Sequence, residues 1–392
     1  MKVLILHQHF KVPQRGGAVR SYYLAKALVD QGIQTVVITA HNEALYRKEM
    51  IEGIEVHYLP VPYDNRFGFN KRVNSFFKFV VQSVKYAGLH RDVDVCYAIS
   101  VPLTTGLVAM WLKIRYGIPF IFEVGDLWPD APIAMEFIRN RFLQRTLYAL
   151  EAAIYQQALS VVALSSSIKT IVESKVKGKA VHVLPNMADT GFFIPEEKRP
   201  SLEEKFNVRG KFVVAYIGAI GVANGLEFYL ACADESQKAG LPIHFLLCGD
   251  GAMLEVHQNS AKRLELSNLT FLPFRNRDGV REIMNVTDAV FICYQPIKIL
   301  ETGSPNKYFD GLASGKLVII NFGGWIKDEV EQERCGVSID QRHPKNFVEK
   351  IKPFLDDRKL LKQYQQAARR LAEQKYSREM LAKQFCGIVE GR

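Results

Sequence analysis

No cysteine of this chain stands near another. Cys96, Cys232, Cys248, Cys293, Cys335 and Cys386 are scattered, with no CxxC spacing and no histidine pairing. That excludes a disulfide framework and a zinc ribbon, and it predicts reduced, buried thiols. No apolar segment reaches the roughly 18 residues of a spanning helix. The opening MKVLILHQHF has too short an apolar run, and no cleavage signature, for a signal peptide. The chain is therefore expected in the cytoplasm. No tandem repeat or low-complexity tract is visible, which excludes a repeat architecture.

Acidic residues are missing from one long stretch. Between Asp64 and Asp92 there is none, while Arg66, Lys71, Arg72, Lys78, Lys85 and Arg91 are interleaved with phenylalanines and Tyr86. With a net charge of +10, the chain suits anionic partners. This stretch fits an amphipathic helix in a membrane interface. It also fits a core helix with aromatics inward and a solvated basic side, and the two are compatible. Arg139, Arg141 and Arg145 around Phe142 and Leu143 have the same character. No RNA or DNA module appears, so the expected partner is the anionic inner membrane surface and not nucleic acid.

What the chain has in quantity is apolar sequence. At 392 residues and 48% hydrophobic content it can bury cores for two or three domains. Short apolar runs predict strands at 3–6, 35–39, 93–98, 119–123, 160–163 and 180–184, with helical stretches such as 21–30 between them. A polar segment, 189–209, carries Pro195 and Pro200 and is the best linker. The pattern restarts with strands at 212–217, 243–247, 269–272, 289–294 and 317–321, and a helix at 225–235. The segment 353–392 reads as helix with a break at Tyr376-Ser377. This alternation predicts an α/β chain of parallel strands covered on both faces. Two doubly wound halves would face a ligand cleft at the carboxyl ends of their strands.

The most informative stretch is ETGSPNKYFD, 301–310. Ser304 is a good N-cap, and Pro305 suits the first helical position. The following N–H groups point out of the helix end, where aligned peptide dipoles favour an anion. Asn306, Lys307 and Asp310 share one face. A diphosphate at the tip, met by Lys307, with Asp310 accepting from ribose hydroxyls, would hold a nucleotide. The alternative is an ordinary capped helix with a solvated lysine and aspartate. Asp126, just past the strand 119–123, either orients a substrate hydroxyl or caps the segment that follows. Glu123 is either functional or a paired structural carboxylate. Glu301 is placed to hydrogen-bond sugar hydroxyls. Gly16-Gly17 either lets backbone approach a phosphate or makes a plain turn. Arg20 faces either a lipid diphosphate or solvent. His7 and His9 share a strand face without a third ligand, so no metal site is expected. Gly249 and Gly251 suit a tight turn but lack the third glycine of a dinucleotide fingerprint.

Together with FEVGDLWPD (122–130), VLPNMAD (183–189), YIGAIGVANGLE (216–227), LLCGDGAML (246–254) and FGGW (322–325), these residues resemble the retaining glycosyltransferases of family 4. Within that family the NGLE, SPNK and FGGW combination is similar to bacterial O-antigen and capsule enzymes of the N-acetyl-L-fucosamine transferase subgroup. The resemblance implies a GT-B fold, with two Rossmann-like domains across a cleft. It implies an acceptor domain at 1–188, a nucleotide-sugar domain at 189–374, and a helix at 375–392 returning to the first. It assigns Asp126 and Glu301 to catalysis, and Gly16, Gly17 and Arg20 to the acceptor. It assigns Gly218, Asn224, Gly249, Phe274, Arg275, Thr302 and Gly303 to the donor, beside Ser304, Pro305, Asn306, Lys307 and Asp310. The implied donor is a nucleoside-diphosphate sugar, UDP-linked and amino- or deoxyamino-type. The implied acceptor is a lipid-diphosphate-linked saccharide, and the transfer uses no metal or cofactor. Two departures stand out. Thr302 replaces the first of two acidic residues, with Glu301 beside it, and the basic residues usual near Ala219–Ile220 and Asn224 are missing. A UDP-sugar epimerase, a hydride-transferring enzyme and a non-catalytic nucleotide-sugar-binding protein are the competing classes.

Overall fold

The computed structural model describes the whole chain except Ala18, Asn65 and Arg392, and the side chains of Arg15 and Phe69. Two of those, Asn65 and Phe69, belong to the acid-free stretch. The first sheet comprises β1 (Lys2–Leu6), β2 (Gln34–His41), β3 (Arg47–Ile51), β4 (Ile54–Pro60), β5 (Val95–Ile99), β6 (Phe120–Val124), β7 (Ser160–Ala163) and β8 (Val181–Val183). Their spatial order is β3-β4-β2-β1-β5-β6-β7-β8. All pairings are parallel except β3 with β4. The second sheet comprises β9 (Phe212–Ala219), β10 (Ile243–Asp250), β11 (Leu269–Leu272), β12 (Ala289–Ile292), β13 (Leu317–Ile320) and β14 (Gly336–Ser338). It is wholly parallel, in the order β11-β10-β9-β12-β13-β14. Each sheet therefore reverses direction beside its first strand, and the two reversal points are where an open α/β sheet binds ligands.

Strands β5, β6, β12 and β13 are buried along their whole length and apolar except for Glu123 in β6, as parallel strands covered on both faces require. Strands β3, β4 and β14 were not anticipated. In β3, RKEMI, charged residues interrupt the apolar signal because this is an antiparallel edge strand, half exposed. It joins β4 through Glu52-Gly53, both at positive φ (47° and 87°), the geometry of a tight hairpin turn.

The chain passes between the two halves twice, side by side. Ala188 N donates to Tyr376 O, and Arg378 N donates to Ala188 O. Beyond that crossing the helix Arg378–Glu390 lies against the helix Arg20–Asp30, and the Phe385 ring meets Tyr97 edge-on at 4.9 Å. The segment 189–209, expected as a loose linker, is instead packed. Phe193 is buried, and Pro200–Lys205 forms a short helix. Asp189 within it is a hub, bound by Tyr23 Oη at 2.9 Å, Arg277 at 2.6 Å and Arg378 at 3.1 Å.

Candidate active site

The helix Asn306–Ala313 follows the turn Lys298–Thr302 and buries Tyr308 and Phe309 in the core, which fixes its axis and leaves its first turn at the cleft. Ser304 does not cap it. Its hydroxyl accepts from Asn186 N at 3.4 Å and its carbonyl from Asn186 Nδ2 at 2.5 Å, so it ties the helix start to the segment after β8. Pro305 takes the cap position in an extended conformation (φ −74°, ψ 131°), and no side chain caps the helix. The exposed Asn306 and the half-buried Lys307 open the first turn. A tip without an internal cap is better suited to an external anion than a capped one.

Lys307 crosses to the end of β9. Its ammonium donates to Tyr216 Oη at 2.6 Å, and that hydroxyl donates to Ala219 O at 2.6 Å. Among the described residues it has no carboxylate partner. Burial without a counter-charge lowers its pKa to about 7. Asp310, one turn on, is pushed up to about 7 by burial, against the pull of Arg277. Each group thus lacks the solvation or partner that would keep it fully charged.

The glycines clear the space. A Cβ on Gly218 would meet Lys307 Cε at 3.2 Å, and one on Gly249 would fall 1.9 Å from Gly218 O. Gly249 thus permits the β9 and β10 ends to touch. Asn224 folds back so that Oδ1 accepts from Gly221 N at 3.2 Å. Phe274 and Arg275 are exposed, and Gly16 is buried against them. A Cβ on Gly16, at φ 67°, would meet Asn276 Cα at 3.2 Å and Phe274 Cζ at 3.4 Å. The loop assigned to the acceptor therefore closes on the donor half.

Glu301 is gripped on two sides. Lys298 pairs with it at 2.7 Å, and Gly323 and Gly324 allow the FGGW loop to press against it. Trp325 Nε1 donates to Gly303 O at 2.9 Å, and Thr302 O accepts from Ser165 Oγ at 2.6 Å across the cleft. Asp126 is exposed on the opposite wall, past β6. Desolvation by the surrounding protein raises its carboxyl pKa. It also bears electrostatically on the half-buried Tyr294 of the other half.

Arg20 is taken up by partners within the protein and not by solvent. It is buried, donating to both Glu123 oxygens at 3.1 and 2.9 Å and to the Pro185 and Leu184 carbonyls. Tyr97 Oη donates to the same carboxylate at 2.5 Å. Four of its five N–H groups are thus committed within the protein, leaving one. Burial also lowers His7 to about 4 and His9 to about 3, so neither supplies a cation near neutrality. An exposed cation beside Gly17 is Lys11, whose Nζ would lie 3.4 Å from a Cβ there. Sequence reasoning missed Lys11, Tyr216, Asn186 and Arg277. Arg277 lies in the basic run RNR (275–277), and Asn186 and Tyr216 lie inside the motifs VLPNMAD and YIGAIGVANGLE without having been singled out, whereas Lys11 carried no signal.

Family comparisons agree with this layout. A model described as "Glycosyl transferase 4-like domain" matches residues 15–187, and one described as "Glycosyl transferases group 1" matches 197–371. The chain carries both domains of a GT-B glycosyltransferase. Sucrose-phosphate synthase from Thermosynechococcus elongatus superimposes with a TM-score of 0.78 at 16% identity, over 100% of this chain and 98% of that one. Anabaena HepE, solved with UDP-glucose, gives a TM-score of 0.71 at 17% identity over the full length of both. A curated relative, the alpha-D-kanosaminyltransferase of Streptomyces kanamyceticus, is 21% identical over 219 residues. That match spans about 55% of each chain's length.

Proposed function

We propose that this glycosyltransferase moves a sugar from a nucleoside-diphosphate sugar, with retention at the anomeric carbon, to a lipid-diphosphate-linked saccharide in surface-polysaccharide assembly. One observation carries the donor half of this reading: Lys307, without an ion-pair partner, at an uncapped helix tip with Asp310 one turn on. The tip and Lys307 would meet the diphosphate, Lys307 stabilising the leaving group as its charge grows, in place of a metal. Asp310 would accept from the ribose, and Arg275 lies on the same side of the cleft. The UDP-glucose bound by HepE supports a UDP-linked donor, and the N-acetyl-L-fucosamine-type motifs support an amino or deoxyamino sugar. Asp126 and Glu301, on opposite walls, would hold the transferred sugar and acceptor hydroxyl between them.

The acceptor half rests on a surface. The helix Phe69–Ala87 buries Phe76 and Phe79 but exposes Phe77 and Val81 beside Lys71, Lys78 and Lys85. The adjoining helices Thr105–Tyr116 and Arg141–Gln157 expose Ile114 and Phe142 beside Arg115, Arg141 and Arg145. No helix among the described residues is long and apolar enough to cross a membrane. A basic, apolar-studded layer of this kind would rest on an anionic leaflet, where a lipid-linked acceptor arrives.

The deciding experiment incubates the enzyme with a panel of UDP-sugars and a lipid-linked acceptor, reading product and anomeric configuration by NMR. Acceptor-dependent transfer with retention is expected. Donor epimerised without acceptor, or bound without turnover, would replace this reading with one of its rivals.

A further inference from the structure

Outside the cleft, three metal-ligating side chains meet near the amino-terminal end of the first sheet. Glu55 and His57 stand two apart on β4 and share its face. That face otherwise packs apolar groups, Leu59 among them, under the helix Phe69–Ala87. His90 comes from the turn just after that helix. His57 Nε2 lies 2.7 Å from Glu55 Oε1 and 3.2 Å from His90 Nε2, and the remaining Glu55–His90 gap is 3.9 Å. One proton on His57 Nε2 would have to serve both neighbours at once. A cation serves all three. A point equidistant from three atoms so spaced lies about 2.0 Å from each, the length of zinc–imidazole and zinc–carboxylate bonds.

We propose that Glu55, His57 and His90 form a zinc site, with water as the fourth ligand. The ring nitrogen of His57 that faces away supplies independent support. Nδ1 lies 2.9 Å from Tyr46 Oη, the outer-shell partner that orients a ligating imidazole, and the Tyr46 ring is itself stacked on Tyr86 at 4.6 Å. Lys48, now 2.9 Å from Glu55, is half exposed and free to swing into solvent when a cation takes its place. Two imidazoles and one carboxylate, with water as the fourth ligand, are a known ligand set for zinc. The site would pin β4 to the base of the helix that carries the exposed basic stripe. It lies toward the strand ends opposite the cleft, so it is separate from the transfer chemistry.

Metal-stripped protein titrated with zinc chloride against a chromophoric chelator should bind one equivalent, and its Tm should rise. His90→Gln and Glu55→Gln, which preserve size and polarity, should each weaken binding by about 100-fold and erase the Tm rise, while Tyr46→Phe should cost about 10- to 100-fold. Circular dichroism verifies that each variant is folded. Wild-type affinity no better than that of folded Glu55→Gln or His90→Gln, or a Tm rise that survives in both, overturns the site.

Discussion

Lys307 and Asp310 titrate at about the same pH but want opposite things from it. On the proposed reading Lys307 would serve a diphosphate only when protonated, so above pH 7 donor binding would draw a proton from solvent and weaken. Asp310 would accept from ribose only when ionised, so below pH 7 binding would release a proton and weaken again. Donor affinity should therefore be bell-shaped with its maximum near pH 7. Calorimetric Kd values across pH 5.5–8.5, a range of about 1.5 units either side of that maximum, test this. Lys307→Arg should flatten the alkaline limb and Asp310→Asn the acid one. Lys307→Ala should lower kcat by about 100-fold, and Asp310→Ala should mainly raise the donor KM by about tenfold. A flat profile in the wild type would remove both residues from the donor site. Arg20→Met should act differently, costing about 3–5 kcal/mol of stability by stranding the buried Glu123. Denaturant midpoints measure that loss. The sequence made Lys307 and Asp310 legible because helical spacing alone places them on one face. It could not show Arg20's partners, which lie 103 and more residues away along the chain.

Among the elements, those with a strong apolar signal were the legible ones. The β7 and β11 bounds agree with the sequence reading, β7 as a fully buried run and β11 as a half-buried one. The strand pair β3–β4 was hidden by charge on an edge strand. The missing Ser304 cap was hidden because its competitor, Asn186, belongs to a distant segment. The acid-free stretch was read as a membrane helix or a packed helix, and the helix Phe69–Ala87 has both a packed and an exposed apolar-basic side. Its exposed lysines contribute about 1 kcal/mol each near an anionic leaflet. Replacing Lys71, Lys78 and Lys85 with Glu should abolish sedimentation with anionic liposomes while leaving UDP-sugar binding unchanged. Equal sedimentation of variant and wild type would leave the stripe as a merely solvated surface.

At the scale of the whole molecule, two sheets meet across a cleft whose walls already touch at Gly16 with Asn276 and at Ser165 with Thr302. Asp189 holds Tyr23, Arg277 and Arg378 together beside the double crossing, and Arg277 also stacks on Phe192 at 4.0 Å. Asp189→Asn leaves two guanidinium groups facing each other without their anion. It should raise the radius of gyration measured by small-angle scattering and raise the donor KM several-fold. An unchanged radius and KM would show that the hub fixes no domain geometry.

The returning helix Arg378–Glu390 has a consequence for how the chain comes into being. The apolar side of the helix Arg20–Asp30 and the ring of Tyr97 are covered by residues translated about 190 positions after β8. At about 5–20 residues per second, that face waits on the order of ten to forty seconds on the ribosome before its cover arrives. During that interval the nascent first half is an obvious client for a chaperone, and a messenger stalled before codon 378 would release it with that face still bare.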